Sequence, residues 1–261
     1  MSEERVALVT GAARGIGAAV ALRLAADGLR VVAVDSCAGV APDTGAGYPL
    51  AGPAQLAEIG ERLGDRGVTV AADVRDRGAL AAAVARAHAD WGRLDVAVAA
   101  AAIVAGGRPL WEDDSLGDLL DVDVVGVWNT AAVTVPAMLA GPDPARCRFV
   151  AIASAAGQRG LFHLTAYCSA KHAVVGLVRG LAADLVGTGV TACAVAPGGT
   201  RTAMLDATAE LYGVAPADLA GNQLLRDLLD PAELAEVVAL CCSDAGRSLN
   251  GAVVAADGGF G

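Results

Sequence analysis

Aromatic residues are scarce in this sequence: Phe, Tyr and Trp together make up 3% of 261 residues, against 55% hydrophobic residues overall. A core built from it must be packed with small aliphatic side chains. Charge is also sparse, at 18%, which leaves few charged groups for a fully solvated surface and predicts that part of it is buried between subunits. Basic residues are the scarcer sign. With 19 Lys and Arg against 29 Asp and Glu, the net charge of −10 argues against nucleic acid or an anionic membrane as partner. Apolar runs are broken by Gly or charge short of a membrane span, so no membrane segment is expected. Met1 to Thr10 lead directly into a strand pattern with no export signal, and a cytoplasmic location is expected. None of the six cysteines forms a Cys-x-x-Cys pair, and His88, His163 and His172 lack ligand-like spacing, so free thiols and no metal site are expected.

What is present is a regular alternation of β-branched runs and helical patterns. Arg5 to Thr10 reads as a strand, followed by Gly11-Ala12-Ala13-Arg14-Gly15-Ile16-Gly17 and a helix. That order makes a phosphate-binding unit, because the glycines let backbone approach a pyrophosphate and the helix N-terminus offers free N–H groups. The second strand, Leu29 to Val34, ends in Asp35, an acid placed to accept hydrogen bonds from an adenosine ribose diol and to repel a 2′-phosphate, which favours NAD. Residues 37–53 are too long and too Gly- and Pro-rich for an ordinary connection, and read as an inserted loop beside the bound adenosine.

Further strands are expected at 68–72, 94–103, 148–153, 190–196 and 252–256, with helices at 55–63, 78–91, 116–139 and 167–186. Asp73 and Val74 fall where an adenine edge would lie. After Pro197 and Gly198, Thr200 and Thr202 are placed for a carboxamide and a phosphate. Residues 203–229 show no clear period and read as a mobile substrate lid, and Asp230-Pro231-Ala232-Glu233 is a helix start. The alternation predicts an α/β fold: a single doubly wound Rossmann domain over residues 1–261 with a seven-stranded parallel sheet. Right-handed crossovers bring the glycine turn, Asp35, Asp73, Ser154 and Pro197 to one rim.

The stretch Ser154 to Lys171 carries the chemistry. Tyr167 and Lys171, four apart, share one helix face, and Ser154 ends the preceding strand. A free phenol titrates near about pH 10, so serving as a base at neutral pH requires about 4 kcal/mol of added stabilisation of the phenolate. A neighbouring ammonium has the correct sign. Tyr167 then reads as general base or acid, Lys171 as its tuner and Ser154 as hydrogen-bond partner of the substrate oxygen. The bland alternative for the pentapeptide alone is a buried Tyr above an exposed Lys on an amphipathic helix.

With these residues in place, the sequence resembles the short-chain dehydrogenase/reductase family along almost its whole length, through Thr10-Gly-x-x-x-Gly-Ile-Gly17, Asp73-Val74, Ser154, Tyr167-x-x-x-Lys171, Pro197-Gly198 and Asp257-Gly258-Gly259. The resemblance implies that Tyr167 moves the proton, that Lys171 also binds the nicotinamide ribose, that Ser154 orients the substrate oxygen, and that the assembly is a homotetramer built through long helices. Asp35-Ser-Cys37, the insert and Tyr48-Pro49-Leu50-Ala51 look like the mycofactocin-coupled, carveol dehydrogenase-like subgroup. That likeness implies a non-exchanging NAD clamped by the insert and re-oxidised in place by the peptide-derived carrier mycofactocin. The expected substrate is a small apolar secondary alcohol or its ketone.

Three departures stand against this pattern. Ala99-Ala100-Ala101-Ala102 replaces the family's Asn-Asn-Ala-Gly, Cys193 replaces an Asn, and the catalytic Asn of the long helix aligns with Asp123. A carboxylate near Lys171 would offset part of the ammonium's pull on Tyr167. These departures keep a second reading open, a non-catalytic NAD-binding redox sensor or assembly subunit.

Overall fold

A computed structural model of the chain describes residues 4–40 and 45–261; residues 41–44 of the expected insert lie outside them. Strands β1 (Val6–Thr10), β2 (Arg30–Asp35), β3 (Gly67–Ala71), β4 (Val96–Ala99), β5 (Arg148–Ile152), β6 (Thr191–Pro197) and β7 (Val253–Ala256) form one sheet in the order β3-β2-β1-β4-β5-β6-β7. Every pairing is parallel. The chain crosses back over the sheet between β3 and β4, so the carboxyl ends of β1 and β4 diverge and open a crevice between them.

Both faces of the sheet are covered, which is why its strands are apolar without alternation. Along β1, Ala7 and Val9 pack under helices α1 (Gly15–Ala26), α2 (Pro53–Leu63) and the last helix, Pro231–Cys242. Val6 and Leu8 point the other way, onto α3 (Arg77–Trp91). Phe149 on β5 is the largest fully buried side chain, so the core is aliphatic, as the composition requires. Five of the six cysteines are buried and all six are free thiols, with Cys193 in the core where the family has Asn.

Three expectations about elements need correction. The fourth strand ends at Ala99 and does not run to Ile103. Its partner β1 ends opposite it at Thr10, and the next two N–H groups, of Ala100 and Ala101, turn to the Thr10 hydroxyl at 3.1 and 3.3 Å. The four-alanine stretch therefore finds its backbone partner in the glycine-turn strand.

The long helix is present but not uniform. α4 (Leu116–Leu119) leads into a π turn at Leu120–Val125, then into α5 (Gly126–Leu139). A π turn inserts one residue per turn and rotates the residues after it; here the turned segment carries Asp123, which is 0% exposed. By length and composition the run Leu116–Leu139 is apolar enough to cross a membrane, contrary to expectation, yet half of its most apolar window is buried within the fold. Val127, Ala131, Val135 and Met138 supply its core face together with α6 (Thr165–Asp184).

The lid also has more order than its sequence shows. It contains α7 (Ala203–Tyr212), started by the Thr202 hydroxyl accepting from the Leu205 N–H and ended by Gly213 at φ +64°. Its apolar residues point in several directions because they face the cavity as well as the fold, so no single period results. Helix α8 (Pro231–Cys242) begins as expected, with the Glu233 carboxylate accepting the Asp230 N–H at 2.7 Å.

Candidate active site

One continuous cavity runs along the carboxyl ends of the strands, from Asp73 and Asp35 past Gly11–Gly17 to Ser154, Tyr167 and the lid. At its centre the glycines are demanded by close approach. A Cβ on Gly17 would lie 2.1 Å from the Gly11 carbonyl oxygen, and one on Gly11 would lie 2.8 Å from the Ala101 backbone. Gly11 and Gly15 also sit at φ +66° and +60°. The turn is thereby pressed flat, so Gly15, Ile16 and Gly17 at the α1 N-terminus line the cavity, and the first turn of α1 carries no acid. Flat backbone and a positive dipole end without a competing carboxylate fit a diphosphate.

Asp35 stands at the end of β2 with its carboxylate already oriented. Oδ2 accepts the Ala13 N–H at 3.1 Å and Oδ1 the Cys37 N–H at 3.0 Å, leaving further lone pairs for a diol in the cavity. Asp73 is chelated by Arg75 at 2.7 Å; burial works to raise its carboxyl, but the Arg75 side chain and N–H prevail and hold it below the usual range. Val74 is fixed by a residue the motif reading missed: buried Asn129 on α5 donates to the Val74 carbonyl at 3.0 Å. Position 126 beside it must be Gly, since a Cβ there would meet Val74 Cγ2 at 2.5 Å. Thr200 donates to the Gly198 carbonyl at 3.1 Å, and Thr202 donates to the Thr200 carbonyl at 3.2 Å. Both hydroxyls keep acceptor capacity toward the cavity they line.

The insert lines the cavity from beside Asp35, through Ala38 and Ala51, and continues along it through Tyr48 and Leu50. Hydrogen bonds between Gly39 and Leu50 and between Gly39 and Ala51 close it into a loop. Its far side reaches the middle of the crevice, where Arg14 donates to the Pro49 carbonyl at 2.9 Å and stands 5.9 Å from the Tyr48 ring centroid. Tyr48 also bonds the Val104 backbone, and burial pushes its phenol up to about 12. Arg14, expected from the motif to serve the cofactor, also fastens the insert to the glycine turn.

Ser154 follows β5 and caps a short turn, its Oγ accepting the Ala156 N–H at 3.1 Å. With that lone pair engaged, the hydroxyl proton is directed at the Tyr167 oxygen, a hydrogen bond that favours the phenolate. The turn packs tightly on α6, where a Cβ at Gly157 would meet the Lys171 carbonyl at 2.8 Å, and this brings Ser154 beside Tyr167. Lys171 Nζ lies 5.6 Å from the Tyr167 ring centroid and is 2% exposed, so the exposed-lysine alternative is excluded. Its partner is Asp123, with Nζ to Oδ2 at 3.0 Å, while Asp123 Oδ1 accepts the Ile103 N–H at 2.9 Å.

This pairing changes the electrostatics expected of Tyr167. Burial of the phenol raises it above the ordinary tyrosine range, Lys171 draws it down, and Asp123 pushes it up again, with a net upward result. Lys171 itself is lowered by burial but raised by Asp123 and Tyr167, and stays a firmly held ammonium. Buried Asp123 is raised by desolvation, against the pull of Lys171 and the Ile103 N–H.

Beyond the phenol the cavity turns apolar. Val104, Leu161, Leu164, Met204, Leu205 and Leu219 line it, with Thr208, Tyr212 and Asn222 as polar groups. The Tyr167 hydroxyl lies 3.9 Å from Met204 Sδ on α7, and Tyr212 ties the end of α7 to the Phe162 carbonyl at 2.7 Å. The charged residues of the cavity lie in its dinucleotide half and at the Lys171 pair.

The short chain dehydrogenase family model matches residues 5–212. (-)-trans-Carveol dehydrogenase of Rhodococcus erythropolis is 38% identical over 210 residues, covering 78% of this chain and 73% of the relative. Cis-4-hydroxycyclohexanecarboxylate dehydrogenase of Sinomonas cyclohexanicum is 36% identical over 259 residues, covering 98% of this chain and 96% of the relative. Among solved structures, carveol dehydrogenase from Mycobacterium avium in complex with NAD superposes with a TM-score of 0.90 at 32% identity, covering 99% of this chain and 98% of that one.

Proposed function

Since the chain belongs to the short-chain dehydrogenase family, we propose that it interconverts an apolar cyclic secondary alcohol and its ketone, with Tyr167 as general acid and base. NAD is its cofactor, held by the glycine turn, Asp35, Asp73-Val74 and the Pro197–Thr202 segment. The observation that carries the reading is the convergence of Ser154, Tyr167 and buried Lys171 where the glycine-cradled half of the cavity meets its apolar half.

In the oxidative direction, the Ser154 hydroxyl turns its proton from Tyr167 to the substrate, and the two side chains hold the substrate oxygen from two sides. Tyr167 takes the hydroxyl proton as the C–H bond breaks, and the electrons of the O–H bond form the carbonyl. NAD, when bound, supplies the acceptor for the hydride. In reduction Tyr167 returns its proton to the same oxygen. Asp123 holds Lys171 fixed at the price of some of its pull on the phenol, so oxidation is favoured by alkaline conditions, in which the phenolate forms.

The insert belongs to the same reading. Fastened by Arg14 to the turn that holds the pyrophosphate, it retains the dinucleotide between turnovers, and mycofactocin re-oxidises the cofactor in place. Val125, Trp128, Ala132, Pro136 and Leu139 form an apolar stripe along one side of α5 and the turn before it, with Trp128 61% exposed, and pack against a second copy in a cytoplasmic homotetramer.

The test is oxidation of carveol and cyclohexanol by the purified protein, with an artificial electron acceptor present, against the Tyr167→Phe variant. Loss of about 10²-fold or more in rate with NAD content unchanged supports the assignment. Equal rates in the two proteins overturn it. A wild type that binds NAD and oxidises no alcohol favours the sensor reading, for which the buried carboxylate at position 123 speaks.

A further inference from the structure

The last residues of the chain are not a loose end. After β7, Gly258 and Gly259 adopt φ +63° and +75°, conformations that favour glycine, and a Cβ at Gly259 would lie 2.9 Å from the Leu224 side chain. Asp257 Oδ1 accepts the Gly259 N–H at 2.9 Å and tightens the turn. The tail then doubles back antiparallel to the end of the lid. Leu225 N–H donates to the Gly258 carbonyl at 3.1 Å, Leu224 N–H to the Gly259 carbonyl at 3.0 Å, and Gly261 N–H to the Asn222 carbonyl at 3.0 Å. Gln223 and Phe260 face each other in this pairing.

Two side chains give the pairing a function. Phe260 lines the cavity together with Leu219 and Asn222 of the lid, and the Arg159 guanidinium stands 5.5 Å from its ring centroid. Gln223 is 1% exposed and donates through Nε2 to the Asp227 carbonyl. Its Oε1 lies against Gly198, where a Cβ would approach it to 2.3 Å, and accepts no hydrogen bond among the described residues. Lid, tail and the Pro197–Gly199 turn are thus braced on one buried side chain. Ordering an aromatic side chain costs entropy, and here the segment that carries Phe260 is held by three backbone hydrogen bonds and its ring by a cation.

We propose that Phe260 is a specificity-determining residue of the substrate site, closing its apolar end so that the site takes a bulky uncharged alicyclic group. This rests on the alcohol–ketone reading above. Carveol reaches the Phe260 wall, and cyclohexanol, lacking the substituents, does not.

The experiment compares the wild type, Phe260→Ala, Phe260→Leu and a chain ending at Gly259, each with its NAD. Expected are a rise of about tenfold in KM for carveol in Phe260→Ala and in the shortened chain, kcat within about twofold, and KM for cyclohexanol unchanged. Phe260→Leu restores most of the loss. Carvone raises the melting temperature of the wild type and raises that of Phe260→Ala markedly less, a readout independent of turnover. Equal carvone protection, or KM values that rise equally for both alcohols, overturns the proposal. If the wild type oxidises neither alcohol, the reaction assignment fails on its own, and the carvone comparison still decides the role of Phe260.

Discussion

The ammonium of Lys171 lies 3.0 Å from the carboxylate of Asp123, and the two side chains are 2% and 0% exposed. Water screens neither, so Tyr167 experiences a cation and an anion together and loses much of the field that a lone lysine would exert. The pair is geometrically strong because Asp123 is also fixed by the Ile103 N–H. Fixing the lysine and weakening its effect are consequences of the same contact.

Replacing Asp123 by Asn separates the two. Asn keeps an acceptor for the Ile103 N–H and removes the charge. In the mechanism proposed above the phenolate is the base, and Asp123 raises the Tyr167 phenol, so the rate of alcohol oxidation in Asp123→Asn should rise at a lower pH than in the wild type. A pH–rate profile on matched NAD-loaded proteins checks this. Superimposable profiles would show that Asp123 does not act on the phenol.

The glycine turn makes a second expectation. In Gly17→Ala the new methyl carbon meets the Gly11 carbonyl at 2.1 Å, so the turn must open, and the protein should emerge without dinucleotide and less stable by about 2 kcal/mol or more. Gly180→Ala, in the interior of α6 with open space at its Cβ, should instead retain NAD and gain about 0.5–1 kcal/mol. Urea denaturation and mass spectrometry of the released small molecules read both.

Arg14 tests the insert. Purified wild type should carry NAD through gel filtration and turn over little with added NAD alone. In Arg14→Ala the insert loses its bond to Pro49 and its contact with Tyr48, and exchange with labelled NAD should quicken about tenfold or more. Wild type that elutes free of NAD, with ordinary steady-state NADH formation, would sink the clamp.

Much of this protein was legible in its sequence, for a physical reason: strands buried on both faces write continuous apolar runs, and helix caps and glycine turns act within a few residues. The order of strands and helices, the Asp230 helix start, the glycine turn and the placing of Asp35, Asp73, Ser154 and Pro197 at strand carboxyl ends all follow from such local rules. So does the shared face of Tyr167 and Lys171, set by helical pitch alone.

What only the tertiary structure decided involves groups distant along the chain. Whether Lys171 meets Asp123 depends on how a π turn presents one residue to another helix, and no local pattern encodes that rotation. The insert reaches Arg14 because Tyr48 finds Val104 there, a contact between loops. Asn129 under Val74, and Phe260 in the cavity lining, were ordinary residues until packing and backbone pairing brought them there. Sequence determined which groups stand at the rim, because that is set by strand ends. Their charges and neighbours were left to the packing of elements that approach one another only in the folded chain.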